Sequence, residues 1–194
     1  MRGLSEKLRI QTSSALPWFW RRVVFRLKGN ASFQAYTALP AGMGTGSGPF
    51  WDGSGGMQRL LLNSNSQTVS QSSTVSAQQA FLFKGASGVD WNDPIIAPID
   101  TSRVSLMYDK TVLLRSGNQS GTITERNMWH GFNKNLVYDD DESGYGEAGA
   151  YFSVTSKPGM GDVYVLDQFA GGVGGSASDV ISFGSNATLY WHEK

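Results

Sequence analysis

Apolar residues in this chain come in short runs cut off by glycine, proline, serine and asparagine, and near its start they recur at every second position. Residues 6–12 read Glu-Lys-Leu-Arg-Ile-Gln-Thr, the alternation of a half-buried strand. Pro17 breaks that run. Residues 20–28 read Trp-Arg-Arg-Val-Val-Phe-Arg-Leu-Lys, whose β-branched and aromatic content favours a second strand. Period two puts Val23, Phe25 and Leu27 on one of its faces and Arg22, Arg26 and Lys28 on the other. Further strands are expected at residues 57–62, 80–83, 103–115 with an interruption near Asp109, 122–138 with a break near Gly131, 151–155, 163–169 and 181–191. Residues 29–56, 63–79, 139–149 and 171–178 read as loops, and 89–98 as irregular. Helical period is sustained over three turns nowhere, which leaves room only for short helices inside loops. About eight to ten strands at this spacing, with loops of uneven length, predict an all-β sandwich.

The chain has 194 residues, 40% of them hydrophobic and 12% aromatic, enough for one packed domain over residues 1–194. Its 16% of charged residues is well below the usual quarter or so, and its 24 glycines fit many turns. The absence of cysteine excludes disulfides, thiolate metal sites and a cysteine nucleophile. No apolar run approaches the roughly 18 residues of a membrane span, and no signal-like apolar segment opens the chain. Asn-x-Ser/Thr sequons at Asn30, Asn118 and Asn186 therefore read as chance occurrences.

A net charge of zero hides an asymmetry. Residues 1–28 hold seven basic residues (Arg2, Lys7, Arg9, Arg21, Arg22, Arg26 and Lys28) and one acid, Glu6, a balance of +6. The remainder holds nine basic and fifteen acidic residues, a balance of −6. A solvated strand face accounts for such a split; so does a polyanionic partner. Trp18, Phe19, Trp20 and Phe25 are interleaved with the basic set. Cations neutralise phosphates and aromatic rings stack on unpaired bases, so the stretch is compatible with single-stranded nucleic acid.

Sites of other chemistry are poorly supported. The glycine tract at 42–48 lacks the Lys-Ser/Thr that ends a phosphate-binding loop, and Pro49 with Asp52-Gly53 argues against a following helix. The run Asp139, Asp140, Asp141, Glu142 could hold a hard cation, but it lacks EF-hand spacing and reads better as a solvated turn or a subunit contact. The two histidines, His130 and His192, each follow a tryptophan and have no third metal ligand or triad partner in view. No Gly-x-Ser-x-Gly elbow occurs. The expectation is a protein with no catalytic residue, no metal and no cofactor.

The later motifs resemble the capsid proteins of genomoviruses and, more distantly, of geminiviruses. The fullest likeness is at 129–144, Trp-His-Gly-Phe-Asn-Lys-Asn-Leu-Val-Tyr-Asp-Asp-Asp-Glu-Ser-Gly, which looks like the family's tryptophan-bearing strand running through Asn-Lys-x-Leu-x-Tyr into an acidic, glycine-containing loop. Asp109-Lys110-Thr111 and residues 114–118 precede it at the familiar distance. Residues 10–22 resemble the segment entering an early core strand, and Ala187-Thr188-Leu189-Tyr190-Trp191 sits where the last strand closes the chain. The likeness spans nearly the whole sequence. It implies an eight-stranded jelly roll in two facing four-stranded sheets, with no catalysis. Such a subunit self-associates into an icosahedral shell around circular single-stranded DNA, in the virion and, during assembly, in the host nucleus. Phe50, Trp51 and Trp91 are then candidate subunit contacts, with anchoring inside their own loops as the alternative. Asp139, Asp140, Asp141 and Glu142 are further contact candidates. The family's arginine- and lysine-rich N-terminal arm, which carries DNA binding and contacts to nuclear import factors, has no counterpart ahead of the strand at Glu6. That leaves Arg2, Lys7, Arg9, Arg21, Arg22, Arg26 and Lys28 as the basic set facing DNA. The rival from another class is a monomeric carbohydrate-binding or glycoside-cleaving β-sandwich, which would gather aromatics and carboxylates on one sheet face.

Overall fold

The structure is a computed structural model that describes residues 1–29, 31–34, 50–59, 61, 72–138 and 151–192. In chain order its elements are β1 (Gly3–Thr12), β2 (Trp18–Leu27), α1 (Ala31–Gln34), β3 (Phe50–Gly53), β4 (Gly56–Arg59), α2 (Ser72–Leu82), β5 (Ser105–Leu114), β6 (Ile123–Gly131), β7 (Asp162–Gly171) and β8 (Ile181–Tyr190). Two antiparallel three-stranded sheets, β6-β1-β8 and β5-β2-β7, pack face to face as an all-β sandwich. β3 and β4 form a separate hairpin. Each sheet thus has three strands among the described residues, where the sequence led us to expect four.

The alternation read in β1 is realised: Glu6, Leu8 and Ile10 are buried, while Lys7 and Arg9 between them are exposed. Leu8 and Ile10 meet Trp20 and Leu114 of the opposite sheet, with Met128, Phe169 and Phe183 packed around them. β2 behaves differently. All six residues from Trp20 to Phe25 are buried, so both its faces are covered. Trp20 looks between the sheets. Val23, Phe25 and Leu27, which do share a face, look the other way, into a second cluster with Phe33, Leu82, Phe83, Trp91, Ala97 and Val104. The sheet of β2 is therefore the middle layer. One side carries the sheet of β1; the other carries a cover made by α1, α2 and residues 83–104.

That cover holds the largest departure from the strand expectations. A loop over 63–79 and a strand over 80–83 were expected, yet Ser72–Leu82 is a helix. Residues 62–71 lie outside the described residues. Ala77, Gln78, Gln79, Ala80 and Leu82 are good helix formers, and the side turned inward is marked by Gln78 and Leu82, one turn apart. Gln78 conceals the pattern because a polar residue occupies a core position; its amide donates to the Ser32 carbonyl at 2.6 Å and ties α2 to α1.

Two strand expectations fall short elsewhere. β6 ends at Gly131, at the expected break, but no strand follows over 132–138: Asn133, at φ 48°, turns the chain away, and asparagine tolerates that left-handed conformation better than most residues. Residues 151–155 are irregular, held by single bonds such as Val154 N–H to the Val137 carbonyl, 2.9 Å, in place of a ladder. By contrast, the irregularity expected near Asp109 is present: the β2–β5 register slips between Val24 and Phe25, opposite Tyr108 and Leu106. Gly121 closes the β5–β6 turn at φ 81°, so close to β1 that a Cβ there would overlap the Thr12 carbonyl.

The middle-layer arrangement is testable at Phe25, which is fully buried between Phe33 (ring centroids 5.4 Å apart, edge-on) and Tyr164 (5.6 Å, stacked). Phe25→Ala should cost about 3–5 kcal/mol in urea unfolding, with the m-value unchanged. A loss under about 1 kcal/mol would mean that the cover does not unfold together with the sandwich.

Candidate functional site

The basic residues of the N-terminal stretch separate into two environments. Arg2, Lys7 and Arg9 are exposed, the last two on the outward side of β1. Arg21 and Arg22 are only 4% and 2% exposed. Arg21 lies on the cover side of β2. Its Nε and Nη2 donate to the two oxygens of Asp109 at 2.9 and 2.7 Å, and its Nη1 to the carbonyls of Pro94 and Ala97, each at 2.7 Å. Arg26 is half-buried, and its Nε finds no hydrogen-bond partner among the described residues. Lys28 points its ammonium at three consecutive carbonyls, those of Ser156, Lys157 and Pro158. Arg21 and Arg22 are thus engaged inside the fold, which corrects their assignment to a DNA-facing set, while Lys28, just beyond the end of β2, makes its contacts at the exposed surface. The physical reason is the double burial of β2 from Trp20 to Phe25, which leaves neither side of that stretch for a phosphate.

Arg22 instead belongs to a polar centre between the sheets. Its Nη2 lies 2.8 Å from Glu6 Oε1 and 3.6 Å from Asp167 Oδ2. The second oxygen of Glu6 is 2.9 Å from His130 Nε2, which donates to it in the tautomer that a carboxylate partner selects. Ser185 Oγ donates to Glu6 Oε1 at 3.2 Å. Asp167 also accepts the Trp20 indole N–H at 2.7 Å, and the Tyr108 ring stands edge-on to His130 with centroids 6.1 Å apart. Glu6, Arg22, Tyr108, His130, Asp167 and Ser185 come one each from β1, β2, β5, β6, β7 and β8. Burial pushes the Glu6 carboxyl up, but the His130 hydrogen bond, the Arg22 guanidinium and Ser185 outweigh it and hold the group below its ordinary range. Burial wins at Asp167 and holds it above its ordinary range, although Arg22 and the Trp20 N–H oppose. The sequence carried a signal for this centre: Glu6 has the same parity as the buried Leu8 and Ile10, and an acid at such a position requires a buried cation.

A cavity of about 360 Å³ opens nearby, lined by Trp20, Tyr108, Val112, Arg126, Asn127 and Met128. Glu6, His130 and Asp167 are not on its wall. The Arg126 guanidinium covers the Trp20 ring at 5.9 Å.

Among the described residues, the outward side of the β1 sheet is the surface that the cover leaves bare. Cross-strand register sets Asn127, Lys7 and Asn186 side by side, with Trp129, Ser5 and Thr188 in the adjacent row on one side and Glu125, Arg9 and Gly184 on the other. Trp129 and Tyr190 are 57% and 48% exposed. Their rings meet edge-on, centroids 5.5 Å apart, and the Trp129 indole lies over Gly3, where any side chain would displace it. Neither ring was singled out from the sequence, where Trp129 read only as part of a strand motif.

The other contact candidates fare variously. Trp91 is 7% exposed and packs edge-on against Phe83 at 5.0 Å, so it is a core anchor and not a free contact. Phe50 is half-buried, stacked on Tyr151 at 4.4 Å and edge-on to Phe152 at 5.6 Å. Trp51 lies in β3, its backbone opposite Gln58. Asp139, Asp140, Asp141 and Glu142 lie outside the described residues.

The two carboxyls of the polar centre have opposite pH signatures. With its pKa lowered on folding, Glu6 stabilises the protein above the ordinary glutamate range, and the contribution is lost as pH falls through the folded value. With its pKa raised, Asp167 favours folding below the ordinary aspartate range, and that contribution is lost as pH rises through the folded value. Glu6→Gln, which removes the direct partner of Arg22, should cost about 3–5 kcal/mol near neutral pH, the deficit shrinking toward acid. Asp167→Asn should gain on the natural chain as pH rises above about 4. Urea unfolding from about pH 3 to about pH 8 reads both; parallel curves for all three proteins would mean that the carboxyls are not coupled to folding. Compared with family models, curated proteins and solved structures, the chain has no match.

Proposed function

We propose that this chain is a structural capsid subunit that self-associates into a closed shell around circular single-stranded DNA. The observation that carries the reading is the winding of the strands. The chain crosses between the sheets from β1 to β2, from β5 to β6 and from β7 to β8, giving three ribbons, each bent over both sheets. The β1–β2 ribbon is central, with β7–β8 antiparallel on one side and β5–β6 antiparallel on the other. Nested antiparallel ribbons are how a jelly roll is wound, and this winding, together with the capsid-like motifs at 129–144, supports a jelly-roll shell subunit. Closed shells repeat one contact many times, so modest interfaces suffice.

For the nucleic acid, the supporting surface is the bare side of the β1 sheet. Lys7 and Arg9 supply phosphate contacts beside Trp129 and Tyr190, which offer ring faces and edges to unpaired bases. The same pair beside Asn127 and Asn186 also suits stacking on pyranose rings, which keeps a carbohydrate-binding sandwich as the second reading.

Electron microscopy of the purified protein at low and high salt, with absorbance for nucleic acid, tests the shell. Regular closed particles are expected; a protein that stays monomeric at every salt concentration and instead binds glycans would favour the second reading. Replacing Lys7 and Arg9 together with Ala should weaken binding to single-stranded DNA and flatten the plot of log affinity against log salt by about 1.4, at about 0.7 for each lost phosphate contact. An unchanged slope would remove this face from DNA binding.

A further inference from the structure

We propose that the outer edge of β8 pairs with the same edge of a second copy of this chain, joining two β1 sheets into one six-stranded sheet. The proposal rests on the self-association reading above and names its first contact. Among the described residues four strands end the two sheets: β6 and β8 in one, β5 and β7 in the other. β6 carries Glu125 and Arg126, β5 carries Asp109 and Lys110, and β7 carries Asp162 and Asp167. Charges of this kind blunt an edge against pairing. β8 reads Ile-Ser-Phe-Gly-Ser-Asn-Ala-Thr-Leu-Tyr, ten residues with neither charge nor proline. Every residue from Gly184 to Tyr190 is exposed, and among the described residues no strand lies beyond β8.

The ladder decides which groups face outward. Thr12 N–H donates to Thr122, on the β6 side, and Ser13 N–H donates to Val180, on the β8 side. Backbone groups alternate along an antiparallel pair. Continuing that alternation along the register turns the even-numbered residues of β8 toward β1, and the N–H and C=O of Ile181, Phe183, Ser185, Ala187 and Leu189 toward the open edge. A twofold contact between two such edges must oppose outward-facing residues with one another. The register centred on Ser185 does so over nine residues. It sets Ile181 against Leu189 and Phe183 against Ala187, apolar on apolar, with Ser185 on itself. On the other face it sets Ser182 against Thr188 and the side-chain-free Gly184 against Asn186. No like charges meet at any pair.

The chain lacks cysteine, so introduced thiols report without background. Ser182→Cys and Thr188→Cys, oxidised as a mixture, should give a disulfide-linked dimer, while each variant alone should give little, because only 182 and 188 of opposite copies come within disulfide range in this register. Ala187→Pro deletes an outward N–H and leaves the bonds to β1 in place. By sedimentation it should remain folded, with dimerisation weakened by about tenfold or more. A natural chain that is monomeric at all concentrations, or a mixture that crosslinks no better than the single variants, overturns the pairing. Closed particles formed equally well by Ala187→Pro would overturn it while leaving the shell reading intact. Dimers with the expected crosslink but no particles would do the reverse.

Discussion

Glu6 holds Arg22 with one carboxylate oxygen and His130 with the other, and all three side chains are buried. Around this pair every strand of the two sheets commits a side chain, with Asp167, Tyr108 and Ser185 completing the set. A buried ion cluster is a poor source of net stability, because desolvating the ions costs about as much as their attraction returns. What it does supply is discrimination. A one-residue slip of β1 would carry Glu6 out of the interior, leave Arg22 with only the more distant Asp167, and expose Leu8 and Ile10 in the same step. Register, pairing and sheet order are therefore tied to one group of atoms.

The demand made by that cluster explains where the chain was legible and where it was not. Period two marked β1, and β-branched and aromatic residues marked β2; β5, β6, β7 and β8 were read as strands from short apolar runs bounded by glycine and other turn residues. What period two does not reveal is whether the polar side meets water. In β1 it does, at Lys7 and Arg9. In β2 it does not, and a row of cations that reads as a solvated or DNA-facing edge turns out to be divided between two buried networks. Arg21 and Arg22 are adjacent, so they point to opposite sides of the sheet, and each side had an acid waiting: Asp109 on one, Glu6 with Asp167 on the other. Those acids are distant in sequence, and single-strand patterning carries no information about them. Helix α2 was hidden for a related reason, since its inward side is held partly by the hydrogen bond of Gln78 and not by an apolar stripe.

Double burial of β2 also sets the outside of the molecule. The cover made by α1, α2 and residues 83–104 occupies one outer face, fixed by Phe33, Leu82 and Phe83 and by the carbonyl contacts of Arg21. The opposite outer face, on the β1 sheet, has no such cover among the described residues. It retains the exposed cations beside Trp129 and Tyr190 and ends in the uncharged strand β8. The exposed aromatic pair, the exposed cations of β1 and the uncharged edge thus share one sheet, while on the other Arg21, Arg22, Asp109 and Asp167 are taken up in internal contacts.

That division bears on how a subunit could associate without losing its fold. The contacts that hold β8 to the sandwich lie toward β1, through the even-numbered backbone groups and the bond from Ser185 to Glu6. Those open to a partner are the odd-numbered backbone groups on the far side, together with Trp129 and Tyr190 above the sheet. A partner strand could add to that edge without competing for a hydrogen bond that the fold already uses. It would also restrain Ser185, and through it the carboxylate that organises the centre. Association at the edge and order in the core would then favour each other, because both act on the position of the same strand.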